Sequence, residues 1–333
     1  MKKIERINSN VVLFLLCLVN MGFWPQTETV AQNVPNQIPP IDFLYAGEAP
    51  FQNIYILKNG EITWQYNGPT DEGYLGEVSD AVLMTTGNIL FSYQKGIALM
   101  SPQKEILWQY KTPENCETHS AQPIGEKYVV FVQNGNPAKV IVMDIKANKE
   151  VHSFEVPVKN PSNVHGHFRH ARLTKQGTYL LAHMDLGKVC EYDVNGKVLF
   201  SFDAPGVWGV EPMKNGNMML CGGKLGIKEV NKKGQVLWSM SVDELNEKGL
   251  EWPVLAICRP NGNLMVTSWT NTFNGPPVDR ANPPVQAIEI TREKQLVWKL
   301  SSWNEPADLG PATTIQVLSD KGISEKVSFG KYK

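Results

Sequence analysis

No apolar run in the chain is long enough to cross a bilayer. The longest, VVLFLLCLV from Val11 to Val19, falls well short of the ~20 residues that a membrane helix needs. An excess of one charge is also missing. The formal net charge is −1, with 32 Lys and Arg against 33 Asp and Glu. They are spread along the chain, so the basic stripe that a nucleic-acid partner requires is absent. Cysteine is scarce, and no two cysteines stand at C-x-x-C spacing. Cys17 sits inside the apolar run; Cys116, Cys190, Cys221 and Cys258 lie far apart. Zinc held by cysteine is not expected; in an oxidising compartment the four could pair, and free, buried thiols are the expectation. Histidine is scarce too, but not evenly so: four of the six fall between His165 and His183.

What is present at the start is an export signal. Lys2, Lys3 and Arg6 precede the apolar run, and TETVA ends in small residues at Thr29 and Ala31. A basic start, a short apolar core and a small-residue exit describe a secretory signal peptide. The expectation is cleavage after Ala31 and a periplasmic or secreted product. It divides the chain into a signal peptide (1–31), an N-terminal linker (32–41) and one domain (42–333).

A short pattern recurs along that domain: EITWQY (61–66), EILWQY (105–110), EVHSF (150–154), KVLFSF (197–202), QVLWSM (235–240) and QLVWKL (295–300). The aligned positions are Trp64, Trp108, His152, Phe200, Trp238 and Trp298. Strand patterns recurring at a period of roughly 40–60 residues are the signature of propeller blades. Each copy follows another strand across a tight turn, as in IYILKNGEITWQY, and Asn-Gly between alternating apolar runs is a strong hairpin signal. A second hairpin precedes all but the first, at 80–92, 120–132, 170–183, 209–222 and 255–268. The partner of the first outer hairpin is expected at the other end, in 313–329. The fold class is therefore all-β: a six-bladed β-propeller closed by pairing of N- and C-terminal strands, which leaves no open sheet edge. The repeated large rings are expected to fill the wedge between blades.

The short turns belong to one face and the long segments to the other, where binding residues concentrate. Aligned on the turn glycines, the inner strands give the channel lining. The first ring is Asp80, Ser120, His170, Gly209, Leu255 and Thr314; two residues on come Val82, Gln122, Arg172, Glu211, Ile257 and Gln316. One residue before the first ring come Ser79, His119, Arg169, Trp208, Val254 and Thr313. His170 and Arg172 thus line the channel, with His119 on the neighbouring blade and His183 leaving the second strand on the same face.

The outer repeat resembles the G-x-x-x-W strand motif of PQQ-type propellers, as in Gly60-Glu61-Ile62-Thr63-Trp64. Over 42–329 the chain is similar to bacterial quinoprotein-like propellers, and within them to the arylsulfotransferase-like group. NGPPVDRANPPVQAIEI (274–290) with SSWNEPADLGP (301–311) resembles secreted propellers of glycan-degrading bacteria. The first likeness implies PQQ as a possible cofactor. The relatives that use it have eight blades, a longer chain and often paired adjacent cysteines, so PQQ is not expected here. The second implies sulfuryl transfer through a channel histidine, with His170, Arg172 and His119 resembling parts of such a set. Trp208-Gly209 stands where another histidine would fall, and the large extra domain of those enzymes is missing.

A zinc reading of His165, His167 and His170 with Asp185 or Asp80 places two ligands on a glycine-containing loop; no metal and no cofactor are expected. The acid–base reading is broader. His170 and His119 are poised near neutral pH. Arg172 and Arg169 match planar anions. Glu211, level with Arg172, is an ion-pair partner or a general acid. Tyr74 and Tyr93 are candidate acids. His167, His183, Trp208, Trp252 and Trp269 complete a mouth suited to an anionic, sugar-like ligand. The residues suit binding alone and acid–base cleavage equally. Sulfuryl transfer and a scaffold with a packed channel are the alternatives. A monomer is expected, with no nucleic acid and no membrane span.

Overall fold

The alternating apolar segments form strands, and the strands form six antiparallel sheets. A computed structural model describes residues 35–47, 53–67, 77–270 and 277–320. Five sheets follow chain order, in segments 78–111, 117–156, 168–203, 209–240 and 253–300. We number these blades two to six. Blade one is composite: Ala312–Val317 is innermost, followed by Phe43–Gly47, Asn53–Lys58 and Glu61–Asn67. Among the described residues no helix is long and apolar enough to cross a membrane.

Closure differs in detail from the sequence expectation. The C-terminal segment does not supply a complete inner hairpin within the described residues. It gives one strand, and the N-terminal segment gives the other. Tyr45 pairs with Ile315 and Leu44 with Gln316. The reason lies in Phe43–Gly47, five consecutive buried residues. Such a strand needs a neighbour on each side and finds Asn53–Lys58 on the other edge. Residues 321–329 of the expected hairpin lie outside the described residues, as do the signal peptide and Tyr74.

The turns account for the register. Asn59 (φ 50°) and Gly60 (φ 82°) both adopt positive φ, as a type I′ hairpin requires. The outer-strand rings are less enclosed than expected. Trp108 is 7% exposed, whereas Trp64, His152, Phe200, Trp238 and Trp298 are half-buried. The outermost strand of a blade has a neighbour on one face only, so a ring there is covered on one side. The tryptophans still tie blades together. Trp64 Nε1 donates to the Pro102 carbonyl at 2.8 Å, and Trp108 Nε1 to Asn148 Oδ1 at 2.9 Å. Trp108→Phe keeps the packing and removes one bond; a loss of about 1 kcal/mol is expected in urea unfolding. An unchanged midpoint would show that the bond adds nothing.

Around the channel, one inner strand is clipped to the next. Gln316 Oε1 accepts from Leu83 N at 2.7 Å, and Gln122 Oε1 accepts from Leu173 N at 2.6 Å. These glutamines hold the same ring position in blades one and three, and each satisfies backbone on the following blade.

Candidate functional site

The inner strands carry an extra residue near their upper ends. Val78 pairs with Tyr93 and Asp80 with Ser92, so Ser79 is bulged out. Arg169, Val254 and Thr313 are extra residues in the same way. A bulge re-aims a side chain without ending the sheet. In blade three the inner strand is interrupted instead: Glu117–Thr118 and Gln122–Ile124 both pair with Tyr128–Asn134, leaving His119 in the gap. These departures deliver Ser79, His119, Arg169, Val254 and Thr313 to the channel mouth, and Trp208 joins them from the residue just before the inner strand of blade five, Gly209–Pro212. With His170 and Trp269 they line a cavity of only about 10 Å³.

Below the mouth, Arg172 bridges two acids. Its Nε lies 2.7 Å from Glu211 Oε1 and its Nη1 3.3 Å from Asp80 Oδ2. Burial alone would raise the Glu211 carboxyl, but the charge of Arg172 and contact with His170 outweigh it and hold it below the ordinary carboxylate range. Arg172 is pushed up: burial works against its charge, and Glu211 and Asp80 more than compensate. His170, whose Nδ1 is 3.8 Å from Glu211, is lowered chiefly by burial, against the pull of Glu211. The guanidinium expected to clamp a ligand is therefore already engaged by two carboxylates.

Beside the mouth lies a second network. Glu117 Oε2 is 3.1 Å from His119 Nε2 and 2.8 Å from His165 Nδ1. His119 Nδ1 reaches Glu77 Oε1 at 2.9 Å and Ser79 Oγ at 3.2 Å. Arg169 donates to His165 Nε2 at 2.7 Å and to the His165 carbonyl, and its guanidinium lies 5.0 Å above the Trp208 ring. Burial opposes ionisation of Glu117, but hydrogen bonds from His119 and His165, with their charges, hold its carboxyl well below the usual range.

This network is a partition. On one side is the small mouth cavity; on the other is a cavity of about 950 Å³ between blades two and three, lined by Tyr93, Lys95, Lys111, Glu117, Asn136 and His165 among others. Its walls include the loop 112–116 and the loop 161–165.

Other expected residues stand apart. His167 is fully buried and bonds the Asn160 carbonyl at 2.8 Å, bracing its own loop. His183 is fully buried inside blade four, 2.9 Å from the Tyr192 hydroxyl. Asp185 accepts from Lys159 N. Trp252 packs flat against Gly223, where a Cβ would stand 2.2 Å from the ring; only glycine admits that approach. Trp208 and Trp269 do pair, with centroids 6.0 Å apart. The sequence reading missed Glu117, although it stands only two residues before His119. Lys95 and Lys111 were missed because nothing local marks them.

The fold and this arrangement define the class, a six-bladed β-propeller with a polar cavity set beside its channel. No protein-family model matches the chain, and no curated protein does. Solved structures match the fold. A protein of unknown function from Bacteroides caccae is 22% identical at a TM-score of 0.70, covering 83% of this chain and 98% of that one. A streptogramin B lyase is 14% identical at a TM-score of 0.53, covering 81% and 86%. A catalytically inactive histidine-to-alanine variant of virginiamycin B lyase from Staphylococcus aureus, solved with quinupristin, is 12% identical at a TM-score of 0.52, covering 81% and 87%. At these identities the likeness is one of fold.

Proposed function

We propose that the protein is exported after loss of residues 1–31 and binds an anionic carbohydrate in the cavity between blades two and three. The observation that carries this reading is the cavity itself. About 950 Å³ is at the upper end of the range for small-molecule sites, and suits a short oligosaccharide. Asn115, Asn136, Ser162 and Asn163 on its lining match sugar hydroxyls, and Lys95 and Lys111 match a carboxylate or sulfate.

The channel mouth is the weaker choice. Its cavity of about 10 Å³ holds roughly one water, which leaves no space there for a sulfuryl donor to reach His170. Binding needs only the larger cavity. Turnover adds a proton transfer at His165, the half-exposed imidazole on its wall.

Thermal unfolding of the mature chain against uronate and sulfated oligosaccharides, with neutral sugars as controls, tests this reading. A ligand at about 100 times its dissociation constant should stabilise by roughly 2.7 kcal/mol. Lys95→Ala combined with Lys111→Ala is expected to remove the shift. Equal shifts with neutral sugars would overturn the anionic preference, and no shift with any sugar would overturn the reading. Incubation with the ligands that bind, followed by chromatography of products, then separates binding from cleavage.

A further inference from the structure

The contacts of Glu117 determine which atoms of its neighbours face inward. One oxygen, Oε2, holds His119 through Nε2 and His165 through Nδ1. The opposite nitrogens, His119 Nδ1 and His165 Nε2, turn toward Glu77 and Arg169. His119 Nδ1 is 2.9 Å from Glu77 Oε1. Arg169 Nη2 stands 2.7 Å from His165 Nε2 and 3.9 Å from that same glutamate oxygen. Glu77, His119 and His165 each offer one ligand atom, and the three atoms lie within 4.8 Å of one another. An imidazole held by a carboxylate through its outer nitrogen is the arrangement that orients metal-binding histidines and raises their basicity. Here a single carboxylate does so for two.

We propose that Glu77, His119 and His165 form a binding site for a divalent transition cation of the zinc class, oriented by Glu117, and that the guanidinium of Arg169 takes the cation's position in the metal-free protein. Two imidazoles and a carboxylate suit zinc and its neighbours, and suit magnesium and calcium poorly, since those prefer oxygen alone. Zinc at about 2.1 Å from each ligand sets the ligand atoms roughly 3.4 Å apart, so small side-chain rotations complete the site. Charge supports the exchange. Glu77 and Glu117 flank the two imidazoles, and of the two Arg169 reaches Glu77 alone; a divalent cation balances both carboxylates fully. Arg169 also has somewhere to go: among the described residues its Nε has no hydrogen-bond partner, and its guanidinium already lies over the Trp208 ring. The half-exposed His165 gives a metal access from the larger cavity, while His119, with a fully buried side chain, anchors the inner end. The trio considered on sequence spacing, His165, His167 and His170, where no metal is expected, cannot assemble in this way, because His167 is committed to the Asn160 carbonyl.

This proposal does not depend on the carbohydrate reading, because metal is measured with no sugar present. Untagged mature protein is stripped with a chelator, then titrated with zinc chloride by calorimetry. One zinc per chain is expected, and no heat with magnesium chloride. His165→Ala is expected to abolish binding; the residue is half-exposed, and the metal-free variant should unfold at the same temperature as the parent. Glu117→Gln is expected to weaken binding roughly 10–100-fold. Arg169→Met is expected to tighten it, because the competing cation is gone. Absence of stoichiometric zinc binding, or binding that survives His165→Ala, overturns the site. Unchanged or weaker affinity in Arg169→Met overturns the exchange.

Discussion

Replacing Arg172 with methionine is expected to destabilise the protein by about 3–5 kcal/mol, the usual cost of removing one partner from a buried ion pair. Arg172 is 8% exposed and touches both Asp80 and Glu211. Methionine fills a similar volume, so the loss is electrostatic: two carboxylates remain close together with no cation between them. Glu211→Ala should cost less, since Arg172 keeps Asp80. Adding Glu211→Gln to Arg172→Met should recover part of the loss, because one of the stranded charges is then gone. The pH dependence has a definite sign. In the parent, the Glu211 carboxyl is held low, so its contribution is present above an unfolded value of about 4.3 and is lost as pH falls through the folded value. In Arg172→Met, burial is opposed only by the contact with His170, and Glu211 is expected to take up a proton more readily folded than unfolded. The deficit of the variant is then largest near neutral pH and shrinks on acidification toward pH ~4. Urea unfolding at the two pH values measures it. A deficit below about 1 kcal/mol, or one that grows with acid, would mean that the triad is a weak surface-like contact.

The fold was legible because its cues are local. Asn59-Gly60 dictates a tight turn without help from the rest of the chain, and the outer-strand repeat needs only itself to be seen. Closure was legible in kind but not in detail. That a C-terminal strand must complete blade one follows from counting hairpins. That Phe43–Gly47 lies between it and Asn53–Lys58 depends on a five-residue buried run whose C-terminal partners are 265–274 residues away in sequence, and no periodicity reports a pairing.

At the site, the alignment brought the right ring to the channel mouth, because bulged residues keep their place relative to the turn glycines. It did not anticipate how little room they leave. Arg169 lies over Trp208 and Trp208 near Trp269, and three large groups from three blades close a mouth that each strand alone would leave open. The larger cavity was hidden for a different reason. Lys95 comes from a turn in blade two, Lys111 from the end of its outer strand, and His165 from the loop entering blade four. Their meeting is a property of blade packing. Histidine density drew attention to 165–183, yet His167 and His183 are fully buried. Imidazole is a polar ring that satisfies a carbonyl or a tyrosine hydroxyl as readily as it meets a ligand.

His183 supplies the other large effect, a loss of stability in acid. Its ring lies 4.5 Å from that of Phe168, edge to face, and its Nε2 is 2.9 Å from the Tyr192 hydroxyl. Burial pushes its pKa down to about 3, against about 6.5 in an unfolded chain. Between those two values the unfolded chain binds a proton that the folded protein refuses, so stability falls as pH falls, by about 1.4 kcal/mol per unit. The loss begins near pH ~6.5 and is complete near pH ~3; by pH ~4.5 it amounts to roughly 2.5 kcal/mol. His183→Gln removes the titrating group and keeps an acceptor for Tyr192. Carboxylates such as Glu117 and Glu211 titrate in both proteins and cancel in the difference. The glutamine variant is therefore expected to lose about 2.5 kcal/mol less than the parent between pH ~7 and ~4.5, whatever its stability at neutral pH. Chemical unfolding at both pH values reads this directly. Parallel profiles would mean that the buried imidazole accepts a proton in place, with Tyr192 turning its oxygen to receive the new N–H.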